Sequence, residues 1–182
     1  LDRSSAASDV YKRQDLVVFP ELNITSYAID DLHLQSAQQS ATVDALRAVA
    51  AATSDLRPVL VVGAALLRNG RLYNCAVAVG HGRILGVVPK TFLPNYREYY
   101  EKRWFSSGAG LTGLSIEIGE ETVPFGTDLV FAARDLPHFI FHAEICEDYW
   151  SPTPPSTMGA LAGALVCCNL SASNVVIGKS RE

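Results

Sequence analysis

Three residues able to do covalent or proton-transfer chemistry stand where short apolar runs end. Glu21 follows Phe19-Pro20, Lys90 follows Val87-Val88-Pro89, and Cys146 follows Phe141-His142-Ala143-Glu144-Ile145. Strand ends are where α/β folds commonly build their sites. A cysteine nucleophile needs a base to take its proton and donors to hold the oxyanion formed on attack. Glu21 is a candidate base, and Lys90 a candidate stabiliser of thiolate and oxyanion; no histidine is required. Each residue also has an ordinary reading. A cysteine at a strand end is usually a small buried hydrophobe, and a glutamate or lysine is usually a solvated charge. Cys75 alternates with Tyr73 and Val77, and Cys167-Cys168 sits inside an apolar run, so these read as core.

Other arrangements fit less well. His142 lies four residues before Cys146 on one expected strand, about 13 Å away at the strand rise and too far for a hydrogen bond. His138 is farther, and His33 and His81 fall in loops. Gly178-Lys179-Ser180 has the end of a phosphate-binding loop, but the glycine that must open that motif would fall at Ser173. Asn23-Ile24-Thr25 and Asn169-Leu170-Ser171 are formal glycosylation sequons, uninformative without a secretory signal.

The elements that must position these residues follow from hydrophobic pattern. Residues 15–19 form a continuous apolar run that suits a buried strand. Residues 22–34 read as loop with a short helical turn. Val43, Leu46 and Ala50 recur at helical spacing within 36–54. Pro58 ends that helix, and 59–65 is the next strand. Asn69-Gly70 predicts a tight hairpin turn into a return strand over 72–79, since both central positions accept positive φ. Gly80-His81-Gly82 turns again into 84–88. A short helix is expected within 95–105, loop and a short strand over 108–126, strands over 128–133 and 139–145, a helix over 157–164, and a last strand over 165–170. Strands interleaved with helices, plus two hairpins, argue for a layered α/β fold with a mixed sheet.

Composition bounds the rest. The chain has 182 residues, 48% hydrophobic and 19% charged, normal for one domain with a sizeable core. Fifteen Lys+Arg against nineteen Asp+Glu leave a net charge of -4, so no basic field is available for a nucleic-acid backbone. No run reaches the roughly 18 apolar residues of a membrane span, and no basic-then-apolar signal opens the chain. The four cysteines lack disulfide-framework or zinc spacing, which points to a reducing, cytoplasmic compartment. Residues 1–14 are polar and aperiodic and read as a processing or cloning remnant; 15–182 is the domain.

Phe-Pro-Glu-Leu at 19–22, Pro-Lys-Thr-Phe-Leu-Pro-Asn-Tyr at 89–96 and Glu-Ile-Cys-Glu-Asp at 144–148 together resemble the carbon-nitrogen hydrolase (nitrilase) superfamily. Residues 20–32, 96–105 and 154–164 are most similar to the glutaminase domains of glutamine-dependent NAD synthetases. The resemblance implies an α-β-β-α sandwich, truncated here at both ends. It also implies a triad in which Glu21 is general base, Lys90 the lysine and Cys146 the nucleophile. Glu98 matches a second glutamate that supports the lysine. Glu147 matches a residue binding the glutamine head group, its backbone N–H completing the oxyanion hole. Tyr96, Tyr99 and Ser173 match the glutamine pocket. The implied activity is glutamine hydrolysis through a cysteine thioester, with no cofactor or metal for that step. The chain has no Ser-Gly-Gly-x-Asp-Ser motif, so ATP, magnesium and the use of ammonia are expected in a separate synthetase domain. A homo-oligomer of the full-length protein is implied as well. A stand-alone amidase or nitrilase, and a non-catalytic scaffold, are the competing readings.

Overall fold

The structure, a computed structural model, describes residues 15–174 and 177–178. Strand β1 (Leu16–Val18) lies parallel to β2 (Val59–Arg68), with helix α1 (Ser36–Ala52) crossing between them. β2, β3 (Arg71–Gly80) and β4 (Arg83–Pro89) form an antiparallel meander. Its two turns are as the sequence predicts: Asn69 and Gly70, then His81 and Gly82, all have positive φ. β5 (Leu114–Ile118) and β6 (Glu121–Phe125) complete a six-stranded sheet in the order β1-β2-β3-β4-β6-β5. A second sheet, β7-β8-β9, joins β7 (Phe131–Ala132), β8 (Ile140–Ile145) and β9 (Val166–Leu170). Helix α2 (Pro155–Leu161) packs outside it.

Strand alternation sorts the side chains into layers. Val62, Ala64, Leu66, Tyr73, Cys75, Val77 and Val79 face α1 through Leu46 and Ala50. Their neighbours Val61, Ala76, Ala78 and Val88 turn the other way and meet Phe141, Ala143, Ile145, Cys168 and Leu170 between the sheets. The arrangement is helix, sheet, sheet, helix. Asn74 and Lys90 share the parity of Ala76 and Val88, so both belong to the face that looks toward the second sheet. Each is fully buried at the end of that face.

Three expectations need correcting. Residues 108–126 hold a complete hairpin rather than loop with one short strand. Pro124 is tolerated within it because β6 pairs with β4 only at Val87↔Phe125, so the missing N–H disturbs little. The strand expected over 128–133 shrinks to two residues. The two helices run 36–52 and 155–161, offset from 36–54 and 157–164.

Candidate active site

Glu21 leaves β1 on a segment pressed against β2. A Cβ on Gly63 would lie 2.2 Å from Leu22 N and 2.8 Å from Pro20 O, so only glycine admits this approach. The Gly63 N–H donates to Asn23 Oδ1 (2.7 Å), and its carbonyl accepts from Ile24 N (3.0 Å). Leu22, fully buried with Ala65, Leu72 and Phe105, anchors the turn. Lys90 arrives from β4. Its N–H donates to Asn74 O and its carbonyl accepts from Gly108 N, each at 2.8 Å.

The Lys90 ammonium donates to Glu21 Oε1 at 2.7 Å and to Glu101 Oε1 at 2.8 Å. Asn74 Nδ2 donates to Glu21 Oε1 (2.7 Å), Tyr27 Oη donates to Glu101 Oε1 (2.7 Å), and Ala172 N donates to Glu21 Oε2 (3.2 Å). Glu21, Asn74, Lys90 and Glu101 are all buried. Burial opposes the lysine charge, but the two carboxylates outweigh it and hold the ammonium more firmly protonated than an ordinary lysine. Burial pushes the Glu101 carboxyl up, against the pull of Lys90. Glu101 Oε2 and Asn74 Oδ1 are buried acceptors without a protein partner. Such atoms suit a site that receives N–H groups from a bound molecule.

Cys146 sits where β8 passes into a 3₁₀ turn, Cys146–Trp150, with φ of +47°. A non-glycine residue in that conformation carries about 1–2 kcal/mol of strain, which surrounding bonds must offset. Asn169 Nδ2 donates to its carbonyl (3.3 Å), and Asp148 accepts the Ile145 N–H (3.0 Å). Burial raises the thiol pKa, and the Glu21 charge raises it further; Lys90 and the Ala172 N–H work in the opposite direction. The resting group is therefore a thiol that must be deprotonated on demand, with a carboxylate close enough to sense its charge. His142 offers no alternative. Its Nδ1 is bonded to Leu129 O (2.9 Å) and its ring lies against Gly159 of α2, on the outer face of β8.

The remaining sequence candidates fall at the rim. Tyr96 Oη donates to both Glu147 carboxylate oxygens (3.0 and 2.9 Å). The Tyr96 and Tyr99 rings meet edge to face at 6.1 Å. Ser173 is exposed between Ala172, which donates to Glu21, and Asn174, whose N–H approaches Tyr99 Oη at 3.5 Å.

Glu98 needs correction as the partner of Lys90: it is exposed and bonds Asn174 Nδ2, while Glu101 holds the lysine. The reason is local. Glu101 opens the 3₁₀ turn Glu101–Arg103 and its carbonyl accepts from buried Phe105, so the two share an inward face. That four-residue spacing to a core aromatic was the available signal. For Asn74 it was a polar residue inside the apolar run 72–79. Asp148 and Tyr27 carried no comparable mark. Among the described residues no group of three or more His, Cys, Asp or Glu is placed to hold a metal ion.

The chain is 52% identical over 167 residues to the glutamine-dependent NAD(+) synthetase of Mycobacterium tuberculosis, covering 92% of this chain and 24% of that protein. It thus spans about a quarter of the length of such relatives. The crystal structure of a glutamine-dependent NAD(+) synthetase from Cytophaga hutchinsonii superposes with a TM-score of 0.79 at 27% identity, over 99% of this chain and 28% of that one. Saccharomyces cerevisiae Nit3, a member of branch 10 of the nitrilase superfamily, shares the fold with a TM-score of 0.62 at 20% identity, over 96% and 57% of the two chains. The family model for carbon-nitrogen hydrolases matches residues 4–181, and the chain belongs to that family.

Proposed function

We propose that this chain is a glutaminase unit that hydrolyses the side-chain amide of glutamine and supplies ammonia to a synthetase domain, with Glu21, Lys90 and Cys146 as its catalytic residues. The observation that carries the chemistry is Lys90 held between Glu21 and Glu101 beside a thiol on a strained turn. Glu21 takes the Cys146 proton as sulfur attacks the amide carbon. The oxygen becomes an oxyanion facing the Lys90 ammonium and the Glu147 N–H. Collapse breaks the C–N bond, and Glu21 returns the proton to the departing amine, releasing ammonia and leaving a thioester. Glu21 then deprotonates a water whose attack breaks the C–S bond, giving glutamate and the free thiol.

Selectivity for glutamine is supported by the Tyr96–Glu147 pair. Its carboxylate is held at the rim and suits an α-ammonium, and in this reading Ser173 and Tyr99 serve the α-carboxylate end. Glu101 takes the supporting role that the sequence assigned to Glu98. No cofactor enters these steps; ATP and magnesium belong to the synthetase domain that would consume the ammonia. Exposed Trp150, Met158, Leu161 and Leu165 outside the second sheet support self-association of the full-length protein. No helix among the described residues is long and apolar enough to cross a membrane; the free cysteines support a reducing, cytoplasmic setting.

The test is intact mass after exposure to a glutamine-mimicking electrophile, with the adduct mapped among the four cysteines. One adduct on Cys146, suppressed by glutamine and not by simple aliphatic amides, is expected. Uniform labelling, or a folded protein unlabelled at Cys146, overturns the reading; protection by aliphatic amides alone indicates a different amidase.

A further inference from the structure

Asp148 lies two residues past the nucleophile and is buried, yet it is neither a catalytic candidate nor part of the glutamine rim. Its Oδ1 accepts the N–H groups of Thr91 (3.0 Å) and Phe92 (2.7 Å), the two residues that follow Lys90. Its Oδ2 accepts the N–H of Ile145 (3.0 Å), the residue that precedes Cys146. We propose that Asp148 is the positioning residue of this site, a carboxylate that bolts the Lys90 strand end to the Cys146 turn and so sets the lysine's place relative to the sulfur.

The argument is one of topology. Lys90 follows β4 of the six-stranded sheet and Cys146 follows β8 of the three-stranded sheet, and no ladder joins those strands. Between the sheets lies an apolar cluster that includes Val88 and Ile145, and such packing fixes spacing but not registry. Directional bonds are required to hold two charged groups to within an ångström, and Asp148 supplies two of them across the gap, to Thr91 and Phe92, while a third holds its own turn at Ile145. Capping explains only part of this. The Oδ2–Ile145 bond closes the first turn of the 3₁₀ segment, but Thr91 and Phe92 lie outside that segment and belong to the lysine's chain. An acid–base role is not available either, because both oxygens are occupied by backbone donors. Asn cannot replace it well. One face of the side chain would then present N–H to N–H, losing an arm of the bridge while keeping its size.

The proposal rests on Cys146 as nucleophile and Lys90 as its electrostatic partner, so the test reads the thiol directly and not glutamine turnover alone. In the intact protein, D148N is expected to remain folded by circular dichroism. Its Cys146 should react with iodoacetamide with a midpoint about one pH unit higher, because Lys90 no longer sits where it lowers the thiol pKa. Glutamine kcat/KM should fall about 10- to 100-fold, the cost of roughly 1 Å of misplacement. A folded variant with an unshifted midpoint and near-native kcat/KM overturns the proposal, whatever its melting temperature. Hydrogen exchange on the unmodified protein gives an independent check if D148N fails to fold. The Thr91 and Phe92 amides should exchange as slowly as Ile145; free exchange at 91 and 92 overturns the bridge. Failure of glutamine to protect Cys146 in the unmodified protein would instead refute the substrate assignment and leave the Asp148 result intact.

Discussion

Gly63 offers the sharpest way to move Glu21, the proposed base, without touching it. In G63A the new methyl would stand 2.2 Å from Leu22 N, 2.8 Å from Pro20 O and 2.9 Å from Glu21 C. All three are backbone atoms, so no side chain can swing aside. An ordinary contact is about 3.4 Å or more, which asks the Glu21 segment to retreat by about 1 Å. That retreat loosens the Asn23 and Ile24 bonds to Gly63 and draws Glu21 Oε1 away from the Lys90 ammonium. Misplacement of this size costs about 10²-fold in turnover, with a stability loss of about 1–3 kcal/mol from overpacking. The assay is ammonia release from glutamine by the intact protein, alongside thermal unfolding. G80A is the control: it is also a strand glycine in the same sheet, but its Cβ meets first a movable Val59 methyl at 3.3 Å. If folded G63A keeps turnover within threefold of the unmodified protein, the tight approach does not set the position of Glu21 and the reasoning is wrong.

Other changes separate the roles of the remaining groups. K90M leaves Glu21 and Glu101 facing each other without a cation in a buried pocket; chemical denaturation should show a loss of about 3–5 kcal/mol, and turnover should vanish. E147Q removes the charge proposed to bind the α-ammonium, so KM for glutamine should rise about 10- to 100-fold with a smaller change in kcat, as steady-state kinetics would show. An equal fall in kcat at unchanged KM would argue against that role. E21Q should split two readouts. Glutamine turnover should be lost with the proposed base, yet the Cys146 alkylation midpoint moves to lower pH, because the Glu21 charge disfavours the thiolate. A midpoint that moves upward would mean that Glu21 stabilises the thiolate. Asp148 adds a stability signature. Burial lifts its pKa from 3.8 to about 6, so the folded protein binds this proton more tightly than the unfolded chain. Its contribution is therefore full below about pH 4 and is lost as pH rises through about 6. The stability difference between the unmodified protein and D148N should change by about 3 kcal/mol across that window and stay flat above it, in denaturant titrations at stepped pH.

Glu21, Lys90 and Cys146 stood out in the sequence because each follows an apolar run, the position that an α/β fold brings to a strand end. Glu21, Lys90 and Cys146 do come together, linked through Lys90 and the Ala172 N–H. What the pattern could not supply was partnership across sequence distance. Glu98 and Glu101 lie in one polar segment, and only the 3₁₀ turn decides which carboxylate faces inward. Asn74 and Gly63 are ordinary in composition and special only because of what stands beside them in the folded sheet. The hairpin over 114–125 was hidden by its proline and by charged residues on its exposed face. Asp148 was unreadable for another reason: its partners are backbone N–H groups, which leave no trace in side-chain pattern.

The site also has a temporal order built into it. Glu21 meets Asn74 across 53 residues of chain, Lys90 across 69, and Ala172 across 151. Contacts of such separation carry a large loop-closure cost and form late, after the β2–β3–β4 meander, whose strands are neighbours in the chain. A collapsed intermediate holding that meander would have buried apolar surface but no assembled nucleophile. Recovery of Cys146 reactivity after dilution from denaturant should therefore follow the slowest folding phase, making the thiol a reporter of when the two sheets finally lock together.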